Sequence, residues 1–131
     1  MPINAAKLEV TLQNFVANAS HVQGAALVSP DGLTLASALP GSMDDERVAA
    51  MAAAMLSLGE RIGRELSRGQ IERILVEGGQ GYGILTSCTE DALLLVLADA
   101  SAKLGIINLE IKTLLAELQP QLTALSQPVR V

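Results

Sequence analysis

Residues 70–99 read QIERILVEGGQGYGILTSCTEDALLLVLAD, and the meaning of the glycines in GGQGYG, residues 78–83, decides the fold. A glycine-rich tract built to hold phosphate passes from a strand into a helix N-terminus, where backbone N–H groups and the helix dipole meet the anion. Here Tyr82, Gly83, Ile84, Leu85 and Thr86 carry on as a strand. The tract therefore reads as a turn, and no nucleotide site is expected. Thr89-Glu90-Asp91 breaks the next apolar run in the same way. QIERILVE, YGILTSC and ALLLVLAD thus form two successive antiparallel hairpins.

Working outward, GAALVSPDGLTLASA at 24–38 places two apolar runs around Ser29-Pro30-Asp31-Gly32, with proline suited to the second turn position and glycine to positive φ. This third hairpin brings the strand count to five. Residues 5–17 carry Leu8, Leu12, Phe15 and Val16 on one helical stripe. Ser42 and Asp45 make an S-x-x-D start for a long helix reaching about Ser67, with Asp44, Asp45 and Glu46 at its positive end. Ser101 suits the cap of a last helix, in which Leu104, Ile107, Ile111, Leu114, Leu115 and Leu118 form a stripe, and Gln119-Pro120 favours its end. The order α-β-β-α-β-β-β-α predicts an α/β domain: a single-layer, five-stranded, mostly antiparallel sheet sandwiched between helices. It spans residues 1–125, with a loose tail at 126–131.

The chain has 131 residues, half of them apolar, and a net charge of -5. That acidity argues against nucleic acid, whose binding draws on clustered Lys and Arg. No charged lead and apolar run open the sequence, and ALLLVLADA falls far short of the roughly 20 apolar residues of a membrane span, so a cytoplasmic protein with no membrane partner is expected. One histidine, His21, and one cysteine, Cys88, do not make a metal cluster or a nucleophile–base pair. Cys88 reads as a strand residue, His21 as a loop residue, and the acidic run 44–46 as helix capping. Neither a catalytic residue nor a cofactor or metal is expected.

The long helix carries the strongest functional signal. Counting 100° per residue from Val48, the residues Met51, Ala52, Met55, Gly59, Ile62 and Leu66 lie within about 60° of it, a stripe for the sheet. Opposite them Ala50, Ala53, Ala54 and Ser57 form a smooth small-residue face, and polar residues return only at Glu60, Arg61, Arg64 and Glu65. Small side chains let two helix backbones approach closely, so this face is expected to meet another helix. QIERILVE repeats the pattern: Ile71 and Leu75 point to one side and Ile74 and Val76 to the other, while Glu72, Arg73 and Glu77 can register an edge strand with a symmetric copy. The expected homodimer interface comprises Ala49, Ala50, Ala53, Ala54, Ser57, Ile71, Arg73 and Leu75.

Taken together, AALVSPDGLTLAS (25–37), the helix after DDERVAAM (44–51), ILVEGGQGYGILTS (74–87) and LLLVLADASAKLGIINLEI (93–111) resemble the Roadblock family of dynein light-chain domains, in particular its bacterial MglB-like branch. The similarity covers about residues 5–118. It implies a homodimer joined through the third strand, with the paired second helices forming a platform that regulates or scaffolds a Ras-like small GTPase. Some bacterial relatives speed GTP hydrolysis by rearranging the GTPase's own residues. Carried onto this chain, the GTPase-facing platform includes Ala50, Ala54, Ser57 and Arg61, with Ala53 beside them. The alternative within the family is a structural adaptor tethering motor or cytoskeletal components. Arg47, Arg61, Arg64 and Arg68 read as solvated ion-pair partners, Glu60 with Arg64 at i, i+4, and not as an arginine finger.

Overall fold

The structure, a computed structural model, describes residues 3–126. Its elements are α1 (Ala5–Asn18), β1 (Val22–Val28), β2 (Thr34–Ala38), α2 (Asp45–Glu65), β3 (Arg73–Gly78), β4 (Gly81–Thr89), β5 (Ala92–Asp99) and α3 (Leu104–Ser126). The strand order is β2-β1-β5-β4-β3. Every neighbouring pair is antiparallel, so the sheet is more uniform than the sequence predicts. Of the expected tail, Ser126 ends α3 and 127–131 lie outside the described residues.

The sheet divides the interior into two layers. On one side Leu8 and Leu12 of α1 and Ile107, Ile111, Leu114, Leu118 and Leu122 of α3 pack on Ala25, Leu27, Ile84, Leu94 and Val96. On the other, Val48, Ala49 and Ala52 of α2 meet Ala26, Val28, Leu85, Leu93 and Leu95. Alternation along each strand sends successive side chains to opposite layers, which is why the run from Ala92 to Val96 is apolar without interruption and buried throughout. The second layer is the thinner one, built on α2 alone.

Four boundaries differ from expectation. Helix α2 starts on Asp44, whose side chain accepts the Glu46 N–H at 2.9 Å, and not on Ser42. Met43 is held in a turn by its N–H to the Pro40 carbonyl, which delays the helix. Asp45 braces the first hairpin: it accepts the Ser37 hydroxyl at 2.7 Å, while Thr34 donates to its carbonyl. The acidic run is thus occupied in capping and bracing. Asp44→Ala is expected to cost about 1 kcal/mol of stability, and Ser42→Ala close to none; equal losses in thermal melts of the two variants would contradict the capping assignment.

Helix α3 begins after Lys103, and Ser101 is not its cap; instead the Ser101 N–H donates to Asp99 Oδ1 at 2.8 Å, closing the turn that precedes the helix. Pro120 does not end the helix but sits inside it. A proline there costs about 3 kcal/mol, and packing on both sides offsets it: Leu118 and Leu122 are fully buried, Gln119 donates to the Cys88 carbonyl at 3.1 Å, and Gln121 to Thr11 Oγ1 at 3.1 Å. The third strand starts at Arg73 and not at Gln70, so Ile71 precedes it and packs beside Gly63 of α2.

Candidate functional site

Helix α2 buries a face rotated by about 50° from the expected one. Val48, Ala49, Ala52, Gly59 and Gly63 are buried, with Met55 and Leu56 packed partly against them. The small residues belong to this inner face because they let the helix sit close to the sheet. A Cβ at Gly63 would lie 2.6 Å from the Gly69 carbonyl oxygen and 2.9 Å from Ile71 Cδ1, and one at Gly59 would meet Ile74. Ala49, at 1% exposure, is part of the protomer's own core, which corrects its place in the expected interface. Conversely, Met51, Ile62 and Leu66 of the predicted sheet-facing stripe are 59%, 45% and 61% exposed, alongside Leu58 at 60%.

Two outward strips result. At 100° per residue, Met51, Met55, Leu58 and Ile62 lie within about 60° of one another. Ala50, Ala54, Ser57 and Arg61, all exposed, make a second strip about 100° further round. The structure thus brings the four platform residues together. Ala53 is half-buried, close to Gly32 of the Ser29–Leu33 turn, where Gly32 has φ +91°. The ion pair on this surface joins Arg61 to Glu65 at 3.2 Å, not Glu60 to Arg64 as expected, and both side chains are well exposed.

The apolar strip continues onto β3. A groove of about 530 Å³ runs between α2 and the β3–β4 hairpin, walled by Met51 and Met55 on the helix and by Val76, Gly83 and Leu97 on the sheet. Val76 is 53% exposed on this face and Leu75 45% exposed on the other. β3 is one of the two edge strands, and Arg73, Leu75, Val76, Glu77 and Gly78 are all exposed. Sequence reading set the sheet-facing stripe of α2 about 50° away from where it lies, because a helical wheel shows angular spacing but not its origin; the close approach that Gly59 and Gly63 require is the signal that points to the right phase.

GGQGYG forms the tight β3–β4 turn, as the strand pattern requires. At Gly81, with φ +148°, a Cβ would collide with the Ala98 carbonyl oxygen. His21, also in the left-handed region at φ +66°, lies 3.1 Å from Asp99 through Nδ1, and its carbonyl accepts the Asp99 N–H. This pair ties the start of β1 to the end of β5. Among the described residues no cluster of three or more His, Cys, Asp and Glu side chains is placed to hold a metal ion, and no helix is long and apolar enough to cross a membrane.

Cys88 is buried, and loss of solvent pushes its thiol up from an ordinary value near 9.0 to about 11. The unfolded chain ionises first, so this group's contribution to stability is complete below about pH 9 and is lost as pH rises towards 11. The native thiol is expected to react with an aromatic disulfide reagent at pH 8 only as fast as the chain unfolds, and rapid labelling without denaturant would contradict this.

One antiparallel sheet covered on both faces, with an edge strand and an apolar helix strip left uncovered beside each other, defines an α/β domain with a ready association surface. The chain belongs to the Roadblock/LC7 domain family, whose family model matches residues 8–98. Two uncharacterized proteins of Methanocaldococcus jannaschii are each 40% identical to it over 91 residues, spanning 70% of this chain and 79% of theirs. Among solved structures, Myxococcus xanthus MglB superposes with a TM-score of 0.87 at 18% identity, covering 99% of this chain and 98% of that one. A Roadblock/LC7 domain from Streptomyces avermitilis gives 0.81 at 23% identity, covering 88% and 97%. The gliding protein MglB of Thermus thermophilus gives 0.76 at 17%, covering 92% and 93%.

Proposed function

We propose that the protein is a homodimer, formed through the α2 apolar strip and the β3 edge, that binds a Ras-like small GTPase on the paired α2 helices and modulates its nucleotide cycle. The observation that carries this reading is the groove that joins Met51 and Met55 of α2 to Val76 of the edge strand, with Leu58 and Ile62 extending the same exposed apolar strip along the helix. Two-fold pairing there covers both surfaces at once, because the strand edge offers backbone hydrogen bonds and the helix strip offers apolar area. Membership of the Roadblock/LC7 family, with the likeness to MglB, supports the choice of partner.

Association through the first strip leaves the second strip, Ala50, Ala54, Ser57 and Arg61, facing outward in both copies. Its small side chains admit a close-fitting partner surface at little cost in side-chain entropy. The chain acts here as a binding partner and supplies no reacting group of its own. The test is capture from native cytosol on immobilised wild-type protein, followed by a GTP hydrolysis and exchange assay with the captured GTPase. A change in either rate that Ala54→Trp abolishes, with the dimer intact, bears the proposal out. Capture of motor or filament components without a GTPase would replace it with the adaptor reading.

A further inference from the structure

We propose that β3 pairs with the same strand of a second copy in a single register, centred on Leu75, in which Arg73 of each copy faces Glu77 of the other. The proposal rests on the dimer reading above and adds to it the feature that selects the partner. The cross-strand neighbours of β3 settle which side chains share a face: Arg73, Leu75 and Glu77 oppose Thr86, Ile84 and Tyr82, on the layer of α1 and α3, whereas Ile74 and Val76 oppose Leu85 and Gly83, on the layer of α2.

A two-fold axis perpendicular to the sheet keeps both α2 helices on one side, and residues directly opposite in an antiparallel pair share a face. The axis must then lie between a residue and its own copy. Centring on Ile74 sets Arg73 against Leu75 and Glu72 against Val76, while centring on Val76 sets Leu75 against Glu77. Centring on Leu75 sets Arg73 against Glu77, Ile74 against Val76 and Leu75 against itself. That register alone matches opposite charge to opposite charge and apolar to apolar, twice over by symmetry. Among the described residues neither Arg73 nor Glu77 takes part in an ion pair within its own chain, so both are available. An edge strand of different charge order would meet like charges or buried mismatches, so the five residues RILVE favour a second copy of this chain over an arbitrary strand.

The experiment uses the full chain and sedimentation equilibrium. Arg73→Glu sets two carboxylates against each other at both ends of the seam, and Glu77→Arg sets two guanidinium groups against each other; each is expected to weaken the dimer roughly tenfold or more. An equimolar mixture of the two variants is expected to form a heterodimer at wild-type strength, because it restores both opposite-charge pairs. The double variant Arg73→Glu/Glu77→Arg is expected to recover the homodimer. Circular dichroism melts check that each variant stays folded, and the loss is expected to shrink in about 1 M salt, where screening acts over roughly 3 Å. Single variants that dimerise as tightly as wild type, or a mixture that fails to recover, would overturn the register and leave the dimer standing. A wild-type monomer at all concentrations would overturn both.

Discussion

Leu58→Asp with Ile62→Asp is expected to convert the protein into a folded monomer. Leu58 is 60% and Ile62 45% exposed in the protomer, so the substitutions remove only part of one side chain's internal packing and lower the thermal stability of the isolated chain far less than they weaken association. In the proposed dimer the same positions lie on the strip that meets the second copy, and each aspartate would have to lose its hydration without a counter-charge. Burying an unpaired carboxylate costs several kcal/mol, and symmetry doubles the number buried, so the dimer dissociation constant should rise on the order of a thousandfold or more. Light scattering across a concentration series reads this directly. A variant that stays dimeric at wild-type strength would remove α2 from the interface. Ala53→Glu is a poorer probe, because Ala53 lies against the turn at Gly32 and a glutamate there disturbs the protomer itself.

Gly63→Val is expected to give the largest loss of folding stability among single substitutions on α2. In an exposed helix, replacing glycine by alanine gains about 1 kcal/mol. Here even that first methyl would come within 2.6 Å of the Gly69 carbonyl oxygen and 2.9 Å of Ile71 Cδ1. The first neighbour is backbone, which cannot rotate away, so α2 must lift from the segment leading into β3. Overpacking of this kind costs about 1–3 kcal/mol, and a β-branched side chain falls at the upper end. The expected order of stability is wild type, then Gly63→Ala, then Gly63→Val, with a fall in melting temperature of about 3–5 °C for each kcal/mol in a domain of this size. An alanine variant more stable than wild type would mean that helix propensity outweighs the contact and that α2 sits further from the sheet. The same lifting moves the apolar strip, so Gly63→Val should also weaken dimerisation.

The fold was legible because its evidence is local. Strand alternation, the turn residues Pro30, Gly32, Gly79 and Gly81, and the helical stripes of α1 and α3 depend on chemistry within a few positions of one another. They suffice for element order, for the hairpin meaning of GGQGYG, and for the resemblance to the Roadblock family. The candidate site was half legible. The absence of polar residues from two turns of α2 marked the helix as covered twice, and Ala50, Ala54, Ser57 and Arg61 do share one exposed strip. Ala49 and Ile71, however, pack within the protomer.

By itself, then, the sequence determined three helices, five strands and their order, and the presence on α2 of more apolar surface than one sheet can cover. The tertiary structure decided which side of α2 faces that sheet, because glycines at 59 and 63 leave room for Ile74 and Ile71 only when the helix is turned their way. It also decided that α3 runs through Pro120, since the burial of Leu118 and Leu122 outweighs a missing hydrogen bond. Both outcomes depend on contacts between residues far apart along the chain, and a local pattern sets the period of a helix without setting its phase or its end.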